Sequence, residues 1–495
     1  MSANLAALLS ESATAHGSRP ALLDGDERVA YADLEARAMR CAGVLDGRGV
    51  RAGDRVGIHL PNGTEFAAAF YGILRLGAIA VPLNALLKPP EVRRRLEHAG
   101  ARAIVTGSED AARGLDRIGP DGIASGEPAA AIAGCQPDDT AIILYTSGTT
   151  AGANGAELTH GGLRAQAEFV ASSVLRLTPE DVVLGAVPLA HVFGLSAALD
   201  APILSGSCVA LMKRFEAAAA LELMVAAGAT VFLGVPTMCL ALLEAAGEDA
   251  AVPPLRIAHS GGASLSPETL KTFAARFGCE IVEGYGMTEV GGLVATQRPG
   301  RPPKPGSVGT PAGPIELRLV AEDGSDAPTA AVGEVLVRGT ARMKRYWRDP
   351  AATRDALRDG GWLATGDMGY RDEDGDLFLV DRKKDVILRG GYTVYPREIE
   401  DVLYAHPDVH EAVVLGVPDE RLGEEVVALV VPRAGRAGDP EELREFARDR
   451  VAAYKYPRLV VLVEGLPHGG SGKVLRREID REPLRRALDD RLGRS

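Results

Sequence analysis

Between Arg55 and Gly286 the chain repeats one pattern: a short apolar run rich in β-branched residues, then a stretch with helical spacing. The runs are VGIHL (56–60), AIILY (141–145), VVLGAV (182–187), TVFLGV (230–235), RIAHS (256–260) and EIVEGYG (280–286). A strand that is apolar on successive positions has no face to give to water. Such strands belong in the middle of a largely parallel sheet covered by helices on both sides. The first run ends at the Pro61-Asn62-Gly63 turn, and an apolar helix is expected from Glu65 to Leu76, followed by the run AIAVPL. The pattern predicts an α/β protein.

After about residue 315 the pattern changes to hairpins, with IELRLV and EVLVRG around a polar stretch, then GYRDEDGDLFLVDR. The acid-rich turn Asp372–Asp376 lacks a glutamate at the far end that a calcium loop needs, so it reads as a plain turn. Beyond Lys384 comes a compact αβ pattern: helix PREIEDVLYAH, strands VHEAVVLGV and EEVVALVVP, helix DPEELREFARDRVA and strand LVVLVEGLP. With 495 residues, at roughly 150 per domain, two to four domains are expected. We place a large N-terminal domain of α/β subdomains with a β-rich section at 1–384, and a small, mobile α+β domain at 385–495.

Apolar residues at 46% and charged residues at 25% describe a globular chain, and the net charge of −12 excludes a general attraction to nucleic acid or anionic membrane. Cys41, Cys135, Cys208, Cys239 and Cys279 are widely spaced, with neither CxxC nor zinc spacing, and read as buried thiols in a reducing compartment. The N-terminus has no basic region ahead of an apolar one, and no uncharged apolar run approaches the roughly 20 residues of a membrane span. A cytoplasmic location without integral membrane association is expected. Only nine of the 55 cations are lysine, so each lysine merits inspection.

Five motifs can carry chemistry. Tyr145-Thr146-Ser147-Gly148-Thr149-Thr150 follows a strand and offers hydroxyls and N–H groups to phosphate, although it is no Walker loop; alone it reads as a surface loop. Glu283-Gly284-Tyr285-Gly286-Met287-Thr288-Glu289 puts a tyrosine that can stack on a base next to a threonine for phosphate and a carboxylate for Mg²⁺. Thr365-Gly366-Asp367 holds an acid able to accept two ribose hydroxyls, or merely to cap a turn. Asp381-Arg382-Lys383-Lys384-Asp385, followed by Gly390-Gly391-Tyr392, could be a charged linker. Ser471-Gly472-Lys473 is a loop lysine before VLRRE, which reads as a basic helix.

In this order and spacing, YTSGTT, EGYGMTE, TGD, DRKKD, GGYTVYPREIE and SGK resemble the acyl-adenylate-forming superfamily, and bacterial fatty-acyl-CoA ligases most closely. The resemblance covers essentially the whole chain. It implies joining a carboxylate to the α-phosphate of ATP with loss of pyrophosphate, then passing the acyl group to coenzyme A. It places Thr146, Ser147, Gly148, Thr149 and Thr150 over the β- and γ-phosphates, and Gly261, Gly262 and Ala263 with Glu283, Gly284, Tyr285 and Gly286 at the adenine. Thr288 would touch the α-phosphate, Glu289 would bind Mg²⁺, and Asp367 and Arg382 would hold the ribose. Lys473 would bridge the carboxylate and α-phosphate, Lys384 would be the hinge, and Gly390 and Gly391 would approach pantetheine after the small domain turns. The acyl pocket would be lined by 188–195 and 235–238, with His191 gating it near the reacting carboxylate.

Malonyl-CoA synthetases resemble this chain but carry arginine where Gly284 stands, so a monocarboxylic, fatty acid is expected here. The phosphate loop departs from the family, because Asn154 replaces the usual lysine. Transfer to a carrier-protein phosphopantetheine or an amine is the alternative to coenzyme A. A third reading is a non-catalytic acyl or nucleotide binder, against which Lys473, Glu289 and Asp367 all speak.

Overall fold

The computed structural model describes residues 3–146, 154–247, 250–383, 385–390, 392–468 and 474–493. The chain forms two compact units, Met1–Leu317 with Val337–Leu363, and Arg318–Leu336 with Ala364–Ser495. Residues from Ala364 to Lys383 therefore belong to the second unit, although they precede Lys384; that expected hinge lies outside the described residues.

The first unit is α/β. Its larger sheet runs, in spatial order, Thr310–Pro311, Gly292–Thr296, Glu280–Met287, Ile257–Gly261, Val231–Gly234, Val182–Gly185, Cys208–Leu211, Pro20–Asp24 and Glu27–Ala30. The strands from Glu280–Met287 to Pro20–Asp24 are parallel, and antiparallel strands close both edges. A second sheet orders Asp116–Ile118, Ala103–Thr106, Arg55–His59, Ile79–Pro82, Thr140–Tyr145 and Gly155–Thr159, parallel except for the last. Ala103–Thr106, Val231–Gly234 and Ile257–Gly261 are buried at every position, as unbroken apolar runs require.

Helix boundaries follow local chemistry. Pro89, Pro236 and Pro267 each open a helix where an N–H would be orphaned, and Gly100, Gly228 and Gly278 end helices in the left-handed region. The segment after His191 winds as a π-helix over Gly194–Asp200, wider than the α-spacing of its residues implies.

In the second unit, Gly423–Pro432 pairs with Val409–Asp419 and with Leu459–Leu462. Alternation sorts this sheet's two faces. Val414, Val426, Ala428 and Val430 pack with Ile399 and Leu403 of helix Pro396–Tyr404, and Val413, Leu415, Val427 and Leu429 pack with Leu484 and Leu488 of helix Arg481–Leu492. The basic helix expected at VLRRE is not there. Val474 bridges back to His468, and only Arg476–Glu478 makes a 3₁₀ turn, because Arg476 is drawn inward to Glu400 instead of lying along a solvated helix. All five cysteines are free, with Cys135 partly exposed and the others buried.

Candidate active site

Strand Thr140–Tyr145 pairs antiparallel with Gly155–Thr159, so these two strands flank the Thr/Ser/Gly segment. Thr146 closes its neck: the N–H donates to the Asn154 carbonyl at 3.0 Å and the hydroxyl to the same oxygen at 3.4 Å. Ser147, Gly148, Thr149 and Thr150 lie outside the described residues. The far edge of the returning strand pairs with residues 344–347. Trp347 N–H donates to Gly155 O at 2.7 Å, and Glu157 N–H donates to Arg345 O at 3.0 Å. Glu157 is buried, and Arg345 Nε reaches its carboxylate at 2.8 Å.

That segment also holds the second motif. The Tyr346 hydroxyl donates to Glu289 Oε1 at 2.8 Å, and Met343 N–H donates to Glu289 O at 2.7 Å. Burial, and then the adjacent Glu289 charge, push the Tyr346 phenol well up, so it remains a donor. Thr288 and Glu289 occupy a 3₁₀ turn at the end of strand Glu280–Met287. The phosphate-loop neck and the Glu289 turn are thus braced to one segment, residues 343–347, which brings two sequence-predicted groups together. Tyr346 was not predicted; nothing in the RYW context marks it, because its partner is 57 residues away.

The wall beside this turn is built from parallel strands, with Gly261 opposite Gly284 and Ser260 opposite Glu283. Glu283 is buried, and its Oε1 accepts from Leu265 N–H at 2.8 Å, which ties down the bend through Gly262 and Ala263. Gly262 has φ +88°, so glycine is required there. Tyr285 is buried, and a register shift follows it at Gly286, where an added Cβ would stand 2.5 Å from Gly292 O. A Cβ at Gly284 would stand 2.6 Å from His259 Nε2 and 2.9 Å from Leu293 Cδ2.

His259 is a second residue that sequence reasoning missed. It is buried behind Phe193, with ring centroids 5.7 Å apart, and burial lowers its pKa to about 4, so it is neutral. His191 is exposed, and its Nδ1 accepts from Phe193 N–H at 3.3 Å. Asn62 holds this segment in place, since its Oδ1 accepts from Leu189 N–H at 2.8 Å and its amide donates to Val187 O at 2.9 Å.

In the second unit Asp367 is buried opposite Arg382 in a strand pair, and its N–H donates to the Thr365 hydroxyl at 3.0 Å. Gly366, just before it, takes φ +73°. Gly390 has φ +58° and donates its N–H to Leu422 O at 2.7 Å. Arg389 forks onto buried Glu425, with Nη2 to Oε2 at 2.9 Å. Gly391, Lys384 and Lys473 lie outside the described residues. The described residues on either side of Lys473 are tied down: Leu475 N–H donates to Pro467 O at 2.7 Å, and Arg476 Nη2 reaches both Glu400 oxygens at 2.8 and 2.7 Å.

Residues 9–347 match the family model described as AMP-binding enzyme, and residues 398–473 match the AMP-binding enzyme C-terminal domain. The long-chain-fatty-acid–CoA ligase of Bacillus subtilis (strain 168) is 32% identical, over 96% of this chain and 94% of its own length. Feruloyl-CoA synthase of Amycolatopsis sp. is 36% identical, over 93% and 95%. The crystal structure of ATP-bound MatB from Rhodopseudomonas palustris matches with a TM-score of 0.90 at 32% identity, covering 99% of both chains. No helix among the described residues is long and apolar enough to cross a membrane. The two family models fall in chain order, one over most of the first unit and one inside the second, and the relatives run nearly full length. The chain therefore belongs to the AMP-binding enzymes, as an AMP-forming acid–CoA ligase that uses ATP and coenzyme A.

Proposed function

We propose that the acid is a monocarboxylic acid, with a fatty acid as first choice. The observation that carries this reading is the filled space at Gly284. His259 and Leu293 stand within 2.9 Å of any Cβ there, so no cation can grow from that position to meet a second carboxylate. The nearest imidazole is neutral, and an unpaired carboxylate buried against it would be costly. The relatives' names span a long-chain fatty acid, ferulate and sulfoacetate, so they choose neither between alkyl and aryl acids nor against a second acidic group.

In the first half-reaction a carboxylate oxygen attacks the α-phosphorus and the bond to pyrophosphate breaks. In the second, the thiol sulfur of coenzyme A attacks the acyl carbon and AMP leaves. The first step brings anions together, so positioned cations are its main demand. Lys473 would answer that demand, and the described residues on either side of it are tied down. Glu289, oriented by Tyr346, is a single half-buried carboxylate, which suits Mg²⁺ bound largely through substrate phosphates and water. When bound, the ion would neutralise phosphate charge. Thr288 would donate to the α-phosphate, and Asp367 and Arg382 would hold the ribose. Thr146 to Thr150 would cover the β- and γ-phosphates, and His191 would gate the pocket. Turning about Lys384 would exchange Lys473 for the Gly390-Gly391 segment.

Thioester formation should be measured with butyric to stearic acid and with malonic and succinic acid, each offered coenzyme A or a holo-carrier protein. Turnover of the monocarboxylic acids onto coenzyme A is expected. Preference for a dicarboxylic acid would overturn the reading.

A further inference from the structure

Gln166 is fully buried on helix His160–Phe169, which starts directly after strand Gly155–Thr159. Its amide is engaged by a single turn, more than 120 residues further along the chain. Nε2 donates to Val290 O at 3.1 Å and to Leu293 O at 2.8 Å, and Oε1 accepts from Leu293 N–H at 3.3 Å. Both amide hydrogens are thereby used. Residues 290 and 293 bracket Gly291 and Gly292, the step by which the Thr288–Val290 turn passes into strand Gly292–Thr296. A Cβ at Gly292 would stand 3.2 Å from Gln166 Cδ, so glycine lets the amide lie close to the backbone.

That turn carries Thr288 and Glu289. Met343 N–H donates to Glu289 O at 2.7 Å, and the Tyr346 hydroxyl donates to Glu289 Oε1 at 2.8 Å. Segment 343–346 therefore fixes Glu289 itself, and Gln166 fixes the backbone that follows it. A carboxylate is aimed by its backbone as well as by its own hydrogen bond, and a displacement of about 1 Å is enough to spoil a metal or phosphate contact. The helix that carries Gln166 continues the strand leaving the phosphate-loop neck, so both motifs share one support. An apolar side chain could fill the same space without the cost of burying an amide, so packing alone does not account for a glutamine here.

We infer that Gln166 is a positioning residue for the nucleotide: its amide holds the Thr288–Glu289 turn where the Glu289 carboxylate can take Mg²⁺ on the substrate phosphates. This rests on the Glu289 assignment above.

The test is binding rather than turnover: calorimetric titration of the whole enzyme with ATP, without acid, once in excess Mg²⁺ and once in EDTA. The Kd in EDTA divided by the Kd in Mg²⁺ measures what the ion adds. Gln166→Met keeps the length of the side chain and removes its hydrogen bonds, and should cut that ratio by about tenfold relative to wild type. Gln166→Asn keeps an amide on a shorter arm and should cut it less; it gives the same decision where the methionine variant does not fold. A merely structural role would weaken ATP equally in both buffers and leave the ratio at its wild-type value, which would overturn the inference. Glu289→Gln is the control for the assignment beneath it. A reduced ratio there, with a wild-type ratio in the Gln166 variants, would overturn the inference alone. An unchanged ratio in Glu289→Gln would refute the Glu289 assignment, and the inference with it.

Discussion

The contact that does most for the site at residue scale is Tyr346 hydroxyl to Glu289 Oε1, 2.8 Å long and partly buried. Tyr346→Phe keeps the ring and removes the donor. It should lower acid-dependent ATP–pyrophosphate exchange by about tenfold and raise the Mg²⁺ concentration needed for half-maximal exchange. An unchanged Mg²⁺ dependence would mean that Glu289 needs no orienting partner. Asn154 lies across the neck from Thr146, at the position where the family carries lysine. Asn154→Lys should lower the KM for ATP several-fold without changing the KM for the acid. A motif can be spelled out in sequence, so Glu289, Asp367 and Gly284 could be proposed from it. Tyr346 and His259 could not: each earns its role from a neighbour brought in by tertiary pairing, at separations no local spacing encodes.

The parallel strands were legible at the scale of elements because burial on both faces forces unbroken apolar runs, and AIILY and TVFLGV have no other reading. The π-helix over Gly194–Asp200 was not, since an i→i+5 ladder uses the same residues as an α-helix and is selected by packing. VLRRE failed for a related reason: its cations suggested a solvated helix, whereas Arg476 pairs with largely buried Glu400, which also accepts Val414 N–H at 2.6 Å. Arg476→Ala leaves that carboxylate unpaired and should cost about 3 kcal/mol. Denaturant unfolding followed by hydrogen exchange in residues 409–432 would show it as an earlier loss of protection there. Protection equal to wild type would mean the pair is not structural.

At the scale of the whole molecule, Asp200 is a buried acid that the chemistry does not use. Asp200 is fully buried, accepts the Tyr71 hydroxyl at 2.8 Å, and has its pKa raised by burial to about 7. The folded state therefore keeps a proton that the unfolded chain releases near pH 4, and stability falls as pH rises from about 4 to 7. Asp200→Asn removes that dependence. Relative to wild type, its Tm should rise by roughly 2–4 °C between pH 5 and pH 8, and a constant difference would show that Asp200 does not titrate there. Division into a large α/β part and a smaller α+β part was legible from the switch in periodicity. The boundary was less so, because Trp362–Arg371 and Leu377–Arg382 read as a continuation of the first part, yet most of both lies in the second compact unit.

The proposal that one site runs two reactions in turn has Lys473 serve the first and be dispensable for the second. The direct measurement is Lys473→Ala assayed in each half-reaction separately: acid-dependent ATP–pyrophosphate exchange, and thioester formation from preformed acyl-AMP and coenzyme A. Exchange should fall by at least about a hundredfold, with thioester formation within a few-fold of wild type. Unchanged exchange, or equal loss of both half-reactions, would contradict the assignment.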